Sequence, residues 1–518
     1  MATNKLVRNE FDRFGWPRVT IRWTAAAAIV LIRAATAQTQ VATQPNNVVC
    51  TSNVGERNSC PADTSAGALL VKSTGTAACL LGRNWGYDDK SIWVSEGCGG
   101  EFFVGPASAA PATGAQAAKK DFGTYTPGVG FTVADTSKGT LNIKLFTYIR
   151  YLDQKQLDPT YTDSFGNTTP VKQRQDIQVN KALVYFLGWF GTPKLRYVTY
   201  IWTTNVSQGQ SAQVVFAGYL MYSFNTHYNL GFGIYGLPGV RSTEGNFPYW
   251  LGVDHRLIAD EFFRPSYTTG IFLKGTIVPG LDYQTMLGNN LSQLGIDAGQ
   301  LDNGLNTFSG SLVWMPTTKE FGRLGMFGDF ESHQAVATRF GGHFTRSEED
   351  NQNQPNPNAF DNVQIRLSDG NVIFKPDLFG PGKTVTNVNY QMMSLDAGIK
   401  RRGFALEGEY YKRWLNNFRG PGTAGLPTIN DLGYQIQASA MLVPQTLMAY
   451  ASTSKVFGNY GDPWDARVGF NWYPWHTQEI RANAEYIQLH RSPVGGLSYP
   501  YPVGGNGPLF DLNFVVSF

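Results

Sequence analysis

Charge is scarce in this chain. Asp, Glu, Lys and Arg make up 16% of its 518 residues, against about 25% in an ordinary soluble domain. Long apolar runs are also missing. Apart from one short segment near the N-terminus, no stretch reaches the roughly 18 to 20 consecutive apolar residues of a spanning helix, which excludes helical membrane spans. Cysteine is confined to four positions within the first hundred residues, and there are only six His. No H-E-x-x-H, Walker A or G-x-S-x-G run occurs. The run Gly231-Phe232-Gly233-Ile234-Tyr235-Gly236 matches a dinucleotide fingerprint only in letters. No helix follows it, and Phe232 and Ile234 form one face of a strand. An enzyme is therefore not expected, and neither a metal nor a cofactor is implied. What the chain does hold is 14% aromatic residues and 57 Gly. Aromatic richness excludes intrinsic disorder, and at low charge this mixture suits many half-buried strands joined by turns.

The N-terminus reads as an export signal. Arg18 and Arg22 precede an apolar core from Thr24 to Ile32, and Ala35-Thr36-Ala37 supplies a small-x-small cleavage pattern before Gln38. The long basic stretch ahead of the core fits translation beginning near Val19. Removing residues 1–37 takes away six basic residues (Lys5, Arg8, Arg13, Arg18, Arg22, Arg33) and two acidic ones (Glu10, Asp12). That leaves 36 basic against 37 acidic residues, a net charge of −1 in place of +3. No basic excess remains to favour nucleic acid.

Residues 48–104 form a small unit that carries Cys50, Cys60, Cys79 and Cys98. An even set in a short exported segment predicts two disulfides, with three pairings open. Zinc is disfavoured because no C-x-x-C pair occurs and no His lies nearby. The segment ends in the run Trp85-Gly86-Tyr87-Asp88 followed by Ile92-Trp93-Val94 and Gly97-Cys98. This run and the cysteine spacing resemble a small family of bacterial exported domains of unknown function, a resemblance that brings no activity with it. Trp85, Tyr87 and Trp93 fit either a sugar-binding platform or the core of a mini-domain. Residues 105–120, rich in Ala and Pro, read as a linker.

From residue 121 the pattern turns to period two. In 140–152, Leu141, Ile143, Leu145 and Ile149 share one face while Asn142, Lys144, Tyr148 and Arg150 share the other. At the C-terminus Phe510, Leu512, Phe514, Val516 and Phe518 face one way, and Asp511, Asn513, Val515 and Ser517 the other. A soluble protein rarely ends on so bare an apolar edge strand, which invites aggregation. The segment resembles the C-terminal strand of outer-membrane β-barrels. That resemblance implies that Phe518 is an assembly signal read by the barrel-assembly machinery. Alternation marks sixteen strands, near 140–152, 177–190, 195–204, 211–224, 227–236, 268–277, 280–288, 306–316, 334–346, 391–402, 404–414, 432–442, 446–457, 465–476, 479–491 and 509–518. An even count, with tight links taking turns with long ones, fits a transmembrane antiparallel β-barrel over 121–518. The long link 317–333 breaks this pattern by falling on the short-turn side.

Sixteen strands leave an aqueous channel. Alternation turns Lys144, Arg150, Lys274, Arg339, His343, Lys400, Arg467 and Arg481 toward the lumen, together with Asp396, Glu407, Glu409, Glu485 and Asp511. The basic excess is small and no dense cation ladder is visible. A general channel with weak anion preference fits this content. The segment 237–267 is too aromatic to stay solvated and is expected to fold inward as a constriction. It carries Arg241, Asp254, Arg256, Asp260, Glu261 and Arg264, with a helical turn near 256–263. With the sixteen-strand register, this resembles the porin family that includes the phosphate-selective O and P channels. The resemblance implies a homotrimer in the outer membrane of a Gram-negative bacterium, in contact with lipid and passing small ions and solutes. A second reading makes the barrel an anchor for an adhesin or binding protein, whose periplasmic N-terminal domain would contact cell-wall glycan.

Overall fold

A computed structural model describes residues 47–104, except 63, 65–67, 78, 80–83 and 89, and residues 122–518, except 127, 205–212, 295, 302–303, 355–363 and 497–498. The predicted signal peptide and linker lie outside the described residues. The chain divides into two compact units, residues 1–117 and 118–518.

The N-terminal unit holds two three-stranded antiparallel sheets. One pairs Asn47–Thr51 and Ala68–Ser73 on either side of Gly99–Val104, and the other pairs Arg57–Pro61 and Trp85–Asp88 on either side of Ser91–Ser95. Ile92 and Val94 point inward and are fully buried with Cys98 and Phe102. So short a segment buries little core, and covalent links compensate for this. Cys50 pairs with Cys60 and Cys79 with Cys98, which settles the open connectivity. The first link ties one sheet to the other. Trp85 packs on Phe102 at 4.8 Å between ring centroids, so it belongs to the core. Trp93 lies under the Arg57 guanidinium, 4.1 Å from its ring, and Tyr87 is exposed. The three rings do not form one platform.

The second unit is a closed antiparallel barrel of sixteen strands. In chain order these are β1 (Gly139–Asp153), β2 (Gln175–Phe190), β3 (Thr192–Thr204), β4 (Gln213–Ser223), β5 (Asn229–Gly236), β6 (Tyr267–Val278), β7 (Leu281–Gly288) and β8 (Thr307–Trp314). The circuit continues with β9 (Ala337–Asp350), β10 (Asn387–Arg401), β11 (Phe404–Arg419), β12 (Ile429–Val443), β13 (Leu447–Phe457), β14 (Trp464–Trp472), β15 (Ile480–His490) and β16 (Gly507–Ser517). Each pairs with its chain neighbour, and β16 closes on β1 from Phe510↔Asp153 to Ser517↔Phe146. All sixteen expected strands are present, with ends moved by a few residues.

Period two decides the faces. In β16, Phe510, Leu512 and Phe514 are about 40% exposed while Asp511 and Asn513 are buried. The same alternation puts Ile271, Leu312, Phe340, Leu395, Ile436 and Phe470 on the outside. A closed ladder satisfies every strand's backbone groups internally, so such a barrel can present an apolar belt to lipid. Among the described residues, no helix is long and apolar enough to cross a membrane.

A hairpin absent from the sequence reading completes the wall. Gly130–Thr136 pairs with the start of β1, from Phe131↔Ile143 to Thr136↔Gly139, on the edge that β16 occupies further along, and Tyr125–Thr126 pairs back onto Gly130 and Phe131. Phe518 sits at the junction. Its backbone exchanges hydrogen bonds with Leu145, at 2.9 and 2.7 Å, and its ring meets Phe131 at 5.4 Å between centroids.

Candidate functional site

The lumen is crossed by segment 237–266, which leaves the wall at β5 and returns at β6. Its helix α1 (Ile258–Phe263) is wholly buried and packs on β11 to β14. β13 is eight staves from β5 in a ring of sixteen, so the helix rests on the opposite wall. The wall supplies both caps. Asp465 accepts from the Ile258 N–H and Ser454 Oγ accepts from the Ala259 N–H at 3.0 Å, while Tyr390 donates to the Phe263 carbonyl at 2.6 Å. Phe263 stacks on Tyr411 at 5.1 Å between ring centroids. Close approach also requires glycine at 433, where a Cβ would come within 2.4 Å of the Phe263 ring.

The charged residues of this segment are engaged with the wall and with each other. Arg241 forms an ion pair with Glu407, and its backbone N–H donates to Glu409 at 3.1 Å. Asp254 lies 2.6 Å from the Lys181 ammonium and accepts from Tyr148 at 2.7 Å. Arg256 donates to Ser242 at 2.7 Å, and Ser242 donates to Asp260 at 2.8 Å. Arg264 and Glu261 pair at 2.7 Å.

A second segment, 315–336, enters from the short-turn end, which sequence periodicity did not reveal. Lys400 Nζ donates to the carbonyls of Phe321 (2.8 Å) and Met326 (2.5 Å), and the Gly328 N–H donates to Glu407 at 2.8 Å. The two segments meet inside the barrel. Arg241 donates to the Gly325 carbonyl at 3.1 Å and the Phe327 N–H to the Tyr249 carbonyl at 3.1 Å. Its only sequence signal is the one long link out of step with the alternation. At the long-loop end, Ile365, Leu367, Ile373, Phe374 and Leu378 form an apolar cap that packs with Tyr390, Leu415 and Leu489.

Alternation assigned ten residues to the pore lining, and all ten lie on the inner face. Arg150, Arg339, His343, Lys400, Glu407, Glu409, Arg467 and Arg481 are each at most 5% exposed. They hold the inward segments or each other. Arg339 bridges Asp396 and Glu244, both at 2.7 Å, and His343 lies 2.9 Å from Asp396. Arg150 pairs with Asp511 at 3.3 Å and Arg467 with Asp465 at 2.6 Å, while Arg481 donates to the Trp250 carbonyl at 2.7 Å. Lys144 and Lys274 differ. Both are half-buried, and neither has a carboxylate within ion-pair distance among the described residues.

A cavity of about 470 Å³ lies on the short-turn side, bounded by Lys274, Gln284, Ser311, Glu244, Arg339 and Phe321 among others. Among the described residues, two groups bring His and carboxylate atoms within 4.8 Å of one another: His255 with Glu485 and Asp511, and His333 with Glu320 and Glu331. In the first, His255 is satisfied by Glu485 and the Val253 carbonyl, both at 2.7 Å, with Arg150 beside Asp511. In the second, His333 lies between Asp329 (2.5 Å) and Glu320 (3.1 Å).

The N-terminal region, residues 24–122, matches a family described as a protein of unknown function, DUF3011. No curated protein matches the chain. The barrel is similar to solved outer-membrane structures at low identity. The outer-membrane-expressed OmpT of Vibrio cholerae is 9% identical with a TM-score of 0.46, over 74% of this chain and 99% of that one. The anion-selective porin of Comamonas acidovorans is 10% identical with a TM-score of 0.44, over 74% and 100%. The outer-membrane channel DcaP of Acinetobacter baumannii is 8% identical with a TM-score of 0.45, over 75% and 100%. Likeness at this level assigns no family, and the barrel stands on its own strand ladder.

Proposed function

We propose that this chain is a porin of a Gram-negative outer membrane, giving small hydrophilic solutes a narrowed aqueous path. The observation that carries the reading is the closed sixteen-strand barrel with an apolar outside, a polar inside, and segments folded in from both ends. Export through the N-terminal signal and recognition of Phe518 by the assembly machinery belong to the same reading, as does a homotrimer in the outer membrane. Weak anion preference, phosphate included, rests on Lys144 and Lys274, inward cations that are neither ion-paired nor spent on carbonyls. The other inward cations named above are offset by carboxylates or spent on carbonyls, which supports a modest preference over a strong one. A second reading, a barrel that anchors the N-terminal unit, draws support from how much of the lumen is packed. Proteoliposomes separate the two. A porin swells them in iso-osmotic arabinose and excludes a large dextran, whereas folded protein that passes no solute leaves only the anchor.

A further inference from the structure

The inner wall differs from one side to the other. β9 to β16 turn Arg, Lys, Asp and Glu inward, nearly all tied into the segments described above, and their inward rings Tyr390, Tyr411 and Tyr450 are buried. β2 to β6 turn rings inward, one from each successive strand: Tyr185, Tyr200, Tyr219, Tyr235 and Phe272. Tyr185 and Tyr200 have centroids 5.4 Å apart, Tyr219 and Tyr235 are 5.0 Å apart, and Tyr235 stacks on Phe272 at 4.1 Å. Phe272 is fully buried and backs the strip, while the four tyrosines are half-buried. Tyr185 and Tyr200 pack in one apolar cluster with Val253 of the crossing segment and Tyr219 and Tyr235 in another with Leu237, yet each of the four keeps part of its surface uncovered.

Two inward cations that are neither ion-paired nor spent on carbonyls, Lys144 and Lys274, flank the same arc. Lys144 lies 5.7 Å from the Tyr185 ring. Lys274 lies 5.1 Å from the Tyr235 ring, donates to its hydroxyl at 2.9 Å, and borders the cavity. The carboxylates nearest this arc from the crossing segment, Glu244 and Asp254, are paired with Arg339 and Lys181. An anion approaching the strip meets positive charge beside aromatic faces. A flat π-system can stack offset or edge-on against phenol rings, while its carboxylate is drawn to an ammonium that forms no ion pair, Asp282 on the same cavity being engaged by Thr276. We infer that this arc is a binding strip for aromatic carboxylates in transit, a reading that rests on the porin proposal and names its solute class.

The test uses the full-length protein in planar bilayers bathed in KCl, with benzoate as probe and acetate, cyclohexanecarboxylate and glucose as comparators. Benzoate should block the open channel at a concentration about tenfold below that of either other carboxylate, a difference within the reach of one or two ring contacts. Glucose should not block in the same range. Tyr219→Leu and Lys274→Gln should each raise the half-blocking concentration of benzoate about threefold or more without abolishing KCl steps. Lys274→Gln serves alone if the tyrosine variant fails to fold. Equal block by the three carboxylates, block by glucose instead, or variants that block like the parent would overturn the strip while KCl steps leave the porin reading standing. Absence of KCl steps from folded protein would overturn both.

Discussion

Replacing Arg339 by Gln tests whether the inward charges are structural anchors. The guanidinium is 3% exposed and contacts Asp396 and Glu244, each at 2.7 Å. At that distance and an effective dielectric of about 20, each contact is worth roughly 6 kcal/mol before desolvation is counted. Desolvation of several kcal/mol per ion offsets much of this, so the net value of the intact pair is small. Removing only the cation is different. It leaves Asp396, itself 4% exposed, with His343 as its remaining basic partner. The expected cost is about 3 to 5 kcal/mol. Arg339→Gln with Asp396→Asn removes both buried charges and should recover most of that loss. Equilibrium unfolding in detergent micelles, followed by tryptophan fluorescence, gives both numbers. A single variant within about 1 kcal/mol of the parent, or a double variant whose cost equals the sum of the two singles, would refute the reasoning.

The C-terminal ring is expected to matter for closure, because Phe518 joins β16 to the N-terminal hairpin through Leu145 and Phe131. Phe518→Asp should lower the yield of heat-modifiable, folded barrel, and an unchanged yield would contradict that role. In the N-terminal unit, Cys79→Ser with Cys98→Ser should cost about 2 to 4 kcal/mol, measured by thermal unfolding of the oxidised full chain against the variant. Segment 315–336 should loosen in alkali. The hydrogen bond to Asp329 chiefly raises the His333 pKa above its ordinary value, burial opposing it. Stability from this contact is therefore full below the ordinary imidazole pKa of about 6.5 and is lost as pH rises through the raised value. Amide exchange at His333 and Gly403, both of which donate to Asp329, should lose protection over that range. His333→Ala should remove the dependence, and an identical profile in that variant would count against it.

The wall was legible because a strand's chemistry repeats every two residues. Leu512 and Asp511 differ so sharply that their faces need no structure to assign. All sixteen strands and the inward facing of Arg150, Arg339 and Lys400 follow from that rule. The partners do not. Arg150 meets Asp511, 361 positions further along the chain, because the barrel closes, and closure register is not written in local pattern. The crossing of 237–266 was legible from its aromatic content, since Phe247, Tyr249 and Trp250 have no reason to stay in water. The entry of 315–336 was not, because its hold on the lumen comes from backbone carbonyls at Phe321 and Met326, which any sequence supplies. The hairpin at 125–136 escaped for a related reason, being too short to show a period.

Single-channel recording of the purified, heat-modifiable protein in a planar bilayer under a salt gradient tests the porin reading most directly. Discrete ohmic steps are expected, with a reversal potential displaced slightly toward anions that moves toward cations when Lys144 and Lys274 are both replaced by Gln. Folded protein that inserts and yields no steps would contradict it and leave the barrel as an anchor.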